Sequence, residues 1–466
     1  MPSLPSNAAD LTLTEIAGQG CDYINHQVAA HVFANQAMEN IYQGEIEKEG
    51  RGSTQEYSDN TTGSSITVIR PLPLPVKARE LGAAINGGNF SAFDYQPASD
   101  AYTLHIITVI DDIVDIPNVS LDMIPVGIAA MYIKNISDKV VLNMNALKIA
   151  AGIFVAFQQE NVDEKKANVY TRTGGTLLAD LTKTYALLDK GDVEHGVAMF
   201  PQDDRIGLIS VDTYADIIST NGVFSLGGAN YAYGIAKEGG ISEGAKPRKL
   251  ADGYVGDLFG IPFHTVAPLV WLTVSEYLGF PEEELEDVLA IVKSAHGNLF
   301  GLATGSSIKT IDSPKGQGIR LQPLYRMGAA CVMPKSNAIL VKSGFKNPYD
   351  LKDALTAASI TGVDFSYKAP ASRQVFTAEL TASSSLGMKL DVVGTVKGNL
   401  WVQTDAPVKT VGEFMAAYDA NAAVKGNGLT SSATTLSSCT AGKYCNVLVV
   451  DADGTCKLDS VVILGA

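Results

Sequence analysis

Apolar positions along this chain change their period several times, and each change marks an element. The first region opens on a capping box, Thr12 to Glu15 (T-L-T-E), in which hydroxyl and carboxylate satisfy the first free amides of a helix. Ile16, Ile24, Val28 and Val32 then recur at spacings of four or eight, which predicts one or two helices to about Lys48. A loop, Glu49 to Gly63, follows. Ser64 to Arg70 (SSITVIR) is β-branched and alternating, as is Tyr102 to Ile110 (YTLHIITVI). Between them lies PLPLP, Pro71 to Pro75, which excludes helix and central strand because each proline lacks a donor and fixes φ. The pattern predicts a projecting β-hairpin. A lone hairpin is barely stable in water, so a partner subunit is expected under it.

From Ile128 the period becomes helical. Ile128, Tyr132, Ile136, Val140, Met144, Leu147, Ala151 and Phe154 step by three or four. They predict one long helix or two abutting ones over Asp122 to Gln159, with a break or second cap at Ser137-Asp138. Leu177 to Lys190 repeats the pattern and closes on Gly191. FPQDDRIGLISVDTYADIIS, Phe200 to Ser219, predicts a turn, a buried strand at Ile206 to Ser210 and a short helix. Asn221 to Lys249 is glycine-rich and too long for an ordinary turn. Tyr254 to Val266 predicts two short strands about a glycine. Pro281 to His296 has the marks of a helix: Pro281 first, three glutamates at the positive end, an apolar stripe of Leu285, Val288, Leu289 and Val292, and Gly297 after it. Gly318 to Lys342 predicts two strands joined near Met333 to Asn337.

After Gly344 charges thin and Ser, Thr, Ala and Gly rise. Strands are predicted at Val363 to Tyr367, Val375 to Leu380, Met388 to Val393 and Gly398 to Gln403. A second capping box, Thr410 to Glu413, opens a helix to about Ala423. Asn446 to Val450 and Lys457 to Leu464 flank the turn signal Asp453-Gly454. This tail is long enough to fold as an α+β module.

Composition narrows the function classes. The chain has 466 residues, 46% hydrophobic and 18% charged, enough for several domains with a sizeable core. The net charge is −15 and no basic run stands out, which argues against tight nucleic-acid binding. The start, MPSLPSNAAD, lacks a signal-peptide pattern. The apolar stretch Ala146 to Phe157 contains Lys148 and is too short to span a bilayer. A soluble, intracellular chain is expected. Of the cysteines, Cys21 and Cys331 are isolated. Cys439, Cys445 and Cys456 cluster and are open to pairing or metal binding, with simple burial the more ordinary outcome.

Motifs for chemistry are nearly absent. Thr304 to Thr310 (TGSSIKT) lacks P-loop order, Ser225 lacks the elbow glycine, and no HExxH occurs. His26, His31, His105, His195, His264 and His296 are scattered. Asp451 to Gly454 (D-A-D-G) resembles the start of a calcium loop but reads better as a hairpin turn. Asp203-Asp204 reads as a turn before a strand, and Glu282 to Glu284 as a solvated helix start. No catalytic, cofactor-binding or metal-binding residues are assigned.

Four segments carry a resemblance. PQDDRIGLISVDTYADII, GYVGDLFGIPFHTV, GIRLQPLYRMGAACVMPKSNAILV and GSSITVIRPLPLP, in their order and spacing over Ser64 to Lys342, resemble the Hong Kong-97-type major capsid proteins of tailed bacteriophages, short-tailed relatives above all. The resemblance implies an α+β fold: N-terminal helical arm (1–58), E-loop hairpin (59–116), peripheral domain with spine helix (117–200), axial domain (201–317) and returning peripheral strands (318–344). The additional C-terminal domain (345–466) lies outside that core. It further implies a non-enzymatic coat protein without cofactors, assembling as pentamers and hexamers into an icosahedral virion shell around double-stranded DNA. Assembly would take place in the host cytoplasm. Partners would be a portal and scaffolding, decoration or head-fibre proteins, with only weak contact to DNA and none to membrane. The family's prototype cross-links lysine to asparagine; no such pair is assignable here. The competing readings are an encapsulin-type compartment, an α/β enzyme built on the glycine-rich loop, and a surface-layer protein.

Overall fold

The structure is a computed structural model that describes residues 55–57, 65–71, 99–111, 113–117, 127–162, 168–174, 176–192, 197–219, 254–258, 261–302, 307–312 and 318–465. The predicted N-terminal helices, the PLPLP run beyond Pro71, the glycine-rich loop, Cys21, His26, His31, His195, Ser225 and Thr304 lie outside them.

A mixed six-stranded sheet forms the centre. Its order is Val169–Thr171, Asn337–Val341, Val288–Ser294, Arg205–Ser210, Ile261–Val266, Tyr254–Leu258. Side chains alternate across it, as a pleated strand requires. Ile291, Ile339 and Val341 enter one core, shared with the long helix, while Ala290, Val292, Ala338 and Leu340 enter another, under the helix Leu177–Asp189. Being buried on both faces explains the continuous apolar runs of these strands.

Here the sequence misleads. Pro281 to His296 is not a helix: Glu282–Asp287 is a 3-10 turn, and Val288–Ser294 is a fully buried strand bonded to Arg205–Ser210 and Asn337–Val341. The run VLAIVK satisfies both periods over so few residues, and its place between two partner strands decides. The strand, helix and paired strands predicted over Phe200 to Ser219 and Tyr254 to Val266 are present.

The long helix is continuous over Gly127–Val162. Ser137 neither breaks nor caps it; its hydroxyl is buried and donates to the Ile133 carbonyl at 2.9 Å. The apolar stretch is also longer than expected: Tyr132–Gln158 is long and apolar enough to cross a membrane by length and composition. Most of it lies inside the protein, with Leu147, Ala150 and Ile153 at or near zero exposure, as befits a core helix.

A second sheet is organised by one 14-residue strand, Gly318–Cys331. It bonds to Asn298–Leu302, Ser307–Asp312, Thr108–Ile110 and Val114–Pro117, all antiparallel. Gln55–Tyr57, inside the expected loop of 49–63, adds a parallel strand along Asn298–Leu302. The two strands predicted over Gly318 to Lys342 are both present but serve different sheets, parted by the 3-10 turn Pro334–Ser336. The predicted strand Tyr102 to Ile110 is divided. Ser99–His105 pairs with Ser65–Pro71, whereas Thr108–Ile110 turns onto the long strand.

Beyond residue 344 a four-stranded sheet (Lys425–Asn427, Gly398–Thr404, Tyr444–Val450, Cys456–Val462) and a three-stranded one (Thr377–Ser384, Gly387–Val393, Thr434–Thr435) enclose a separate core with Phe376, Met388, Trp401 and Val447. No strand forms over Val363 to Tyr367. Instead Phe365 and Tyr367 pack inward, Phe365 with its neighbour Tyr349 and Tyr367 against Phe154 of the long helix. The other face of the four-stranded sheet is not free: Leu400, Val402, Leu448 and Val450 share one core with the long helix and the central sheet.

Candidate functional site

Among the described residues, nothing catalytic is assembled from those weighed for chemistry. Asp203, exposed, and Asp204, half-buried, form the turn before the central strand. His105 is exposed and His264 is buried in its strand. Asp451 spends one carboxylate oxygen on the amides of Asp453 (2.8 Å) and Thr455 (3.0 Å), which shapes the hairpin turn instead of a calcium loop. Cys331, Cys439, Cys445 and Cys456 are all unpaired thiols. Among the described residues no group of three His, Cys, Asp or Glu side chains could hold a metal ion. Burial pushes the Cys331 thiol up to about 11 and Cys445 up to about 12, so neither is a nucleophile near neutral pH.

Two built features stand out instead. The first is the root of the hairpin. Ser65–Pro71 and Ser99–His105 pair in unbroken register, Ser65 with His105 through Pro71 with Ser99, as a two-stranded sheet of their own. Leu104, fully buried, seats the root against Leu299. The chain then crosses the long strand at Gly328, where a Cβ would stand 2.2 Å from the His105 carbonyl oxygen. Only glycine permits this crossing. Beyond it the Ile107 amide donates to the Met327 carbonyl at 3.1 Å.

Thr108 ties the root further inward. Its hydroxyl lies 2.9 Å from the Tyr277 hydroxyl, which donates to Asn143 Oδ1 of the long helix at 3.1 Å. Burial pushes the Tyr277 phenol up to about 12, so it stays a neutral donor.

The second feature is the seam between the C-terminal residues and the centre. Arg373 is almost fully buried and donates to the carbonyls of Tyr277 and Ser366 (the latter at 3.2 Å), to that of Asp453 at 2.9 Å and to Thr455 Oγ1 at 3.3 Å. The Tyr277 carbonyl belongs to the last turn of the helix Pro268–Leu278, where a cation is favoured by the helix dipole. In the opposite direction Glu284 accepts from the amides of Val411 (2.5 Å) and Gly412 (3.1 Å), the first turn of the helix Val411–Ala420. The predicted capping box serves the same helix: Glu413 N donates to Thr410 Oγ1 at 3.0 Å. The Glu413 side chain reaches Lys409 N at 3.0 Å, one residue earlier than the usual pattern.

The reading of Glu282 to Glu284 as a solvated helix start is therefore corrected. Glu282 is exposed, but Glu284 is 2% exposed and caps a helix 127 residues downstream. The capping box was legible because it is local. Glu284 and Arg373 carry no local signal, since their partners are far apart in sequence.

No family model matches this sequence, and no curated protein matches it. Among solved structures the chain is similar to the capsid of the cyanophage P-SCSP1u, at 12% identity over 62% of this chain and 86% of that one, with a TM-score of 0.40. It is also similar to the mature capsid of bacteriophage PhiM1, at 11% identity over 63% of this chain and 86% of that one, again with a TM-score of 0.40. A third similarity is to a virus-like particle from Pyrococcus furiosus, at 10% identity over 67% and 99% of the two chains and a TM-score of 0.36.

Proposed function

We propose that this chain is a shell-forming major capsid protein of the Hong Kong-97 type, assembling as pentamers and hexamers into an icosahedral shell around double-stranded DNA. The observation that carries the reading is the hairpin root. A two-stranded arm leaves the body at Leu104 and is anchored by the sheet on which the long helix packs. An arm of two strands has too little core of its own to be stable alone, and a neighbouring subunit would supply the missing surface.

In this reading the hairpin and the residues before it reach between subunits. The mixed central sheet carries the loops that meet around five- and six-fold axes. The C-terminal residues form an added unit on that framework. The chain's charge of −15 suits a container whose contact with packed DNA is weak. A portal and scaffolding, decoration or head-fibre proteins are the partners such a shell requires. The place of action is the virion, with assembly in the host cytoplasm.

Electron microscopy and light scattering of the purified chain test the reading. Closed shells, or rings of five and six, are expected, and deletion of residues 72–98 should abolish them while leaving a folded subunit. A stable monomer or dimer at all concentrations overturns it. Shells that enclose protein in place of nucleic acid would turn it toward an encapsulin-type compartment.

A further inference from the structure

We infer that the contact between Glu284 and the first turn of the Val411–Ala420 helix is a proton-operated latch, which holds the C-terminal unit against the central sheet and loosens when Glu284 ionises. The inference rests on the geometry of the joint and is independent of the capsid reading.

Glu284 ends a 3-10 turn that leads directly into the buried Val288–Ser294 strand, so its backbone is fixed to the central sheet. Its carboxyl bridges to the other side of the seam, with one oxygen on Val411 N and the other on Gly412 N. The joint is tight: a Cβ on Gly412 would lie 2.6 Å from the Lys346 carbonyl oxygen and 3.6 Å from Glu284 Oε1. The carboxyl therefore cannot be solvated while the joint is closed.

The groups around it favour the neutral form. Asp287, on its own element, and Glu413, on the capped helix, are both negative and both raise it. Tyr349, from the turn Pro348–Asp350, and Cys456, from the strand Cys456–Val462, are acids that burial holds neutral. The Lys346 ammonium is engaged with Asp419 at 3.8 Å. Against these stand the two amides and the positive helix end, which favour the charge. Burial dominates and pushes Glu284 from its ordinary 4.5 up to about 8. Both oxygens of a neutral carboxyl keep lone pairs for the two amides, so the closed joint tolerates protonation.

The sign follows from linkage. The closed joint binds a proton between about 4.5 and 8 that the open joint, with Glu284 in water, does not. Closure is fully supported below the lower value, weakens progressively as pH rises between the two, and is weakest above the upper one.

Amide exchange of the full chain from pH 5.5 to 8.5, corrected for the intrinsic rate, reads the latch directly. Opening of residues 411–420 should rise by up to about tenfold per pH unit, while residues 288–294 stay protected. Glu284→Gln should flatten the dependence. Glu413→Gln, which removes a facing charge, should end the rise at a lower pH. A corrected opening that is flat with pH in the wild type overturns the proposal, as does an undiminished rise in Glu284→Gln. Should Glu284→Gln fail to fold, the wild-type profile and Glu413→Gln decide.

Discussion

Glu284 and Arg373 cap each other's territory across one seam. The Glu284 carboxyl, rooted in the central sheet, closes the N-terminus of a helix in the C-terminal unit, and the guanidinium of the C-terminal unit binds a carbonyl at the C-terminus of a helix in the body. The Arg373 charge meets the negative end of one helix dipole, and the neutral Glu284 carboxyl accepts from the free amides that start another helix. The seam is thereby polar and directional as well as apolar, which fixes one docking geometry where grease alone would allow several.

Truncating Arg373 should test that geometry. Arg373→Met leaves the carbonyls of Tyr277, Ser366 and Asp453 short of a donor, and a loss on the order of 3 kcal/mol is expected from denaturant unfolding. Arg373→Lys should recover less than half, because an ammonium cannot reproduce the planar fork. A loss within experimental error would show that the seam is held by its apolar face alone.

The local cap is a smaller effect. Thr410→Ala removes the hydroxyl that accepts from Glu413 N and should cost about 1 kcal/mol, with Thr410→Ser restoring most of it. Thermal unfolding of the three proteins checks the order.

The hairpin root should respond locally. Leu104→Ala, at a fully buried position, is expected to cost about 2 to 3 kcal/mol. Gly328→Ala sets a Cβ against backbone that cannot yield, at about 1 to 3 kcal/mol. In both, exchange protection of 65–71 and 99–105 should fall while that of the central sheet persists.

Three buried thiols should be silent until the fold opens. Cys331 and Cys445 are held at about 11 and about 12, and Cys439 and Cys456 are also raised, all chiefly by burial. At pH 8 a thiol reagent should leave the three buried thiols, Cys439, Cys445 and Cys456, unmodified in the native chain and modify them in guanidinium. By linkage their contribution to stability is complete below about pH 9 and declines as pH rises through the raised values. A chelator should not change the unfolding midpoint.

What was legible in the sequence was whatever physics acts over a few residues. The alternating SSITVIR, the three-and-four spacing from Ile128 to Phe154 and the Thr410 box each satisfied a local rule and formed the expected element. Val288–Ser294 failed because an apolar run of that length fits helix and strand alike, and the acidic residues before it imitated a helix start. Glu284 and Arg373 escaped for a further reason. A buried ionisable group is identified by partners 127 and 96 residues away, and no window of sequence contains both.

The short relay from Thr108 through Tyr277 to Arg373 has a mechanical meaning. One end sits where the hairpin enters the body, and the other clasps the C-terminal unit by the turn at Asp453. Between them Tyr277 also grips the long helix at Asn143. Tension on the arm would reach the long strand where Thr108–Ile110 pairs with Tyr325–Met327. The same pull would pass through Tyr277 into the helix and the seam, so the arm and the C-terminal unit are two ends of one strut.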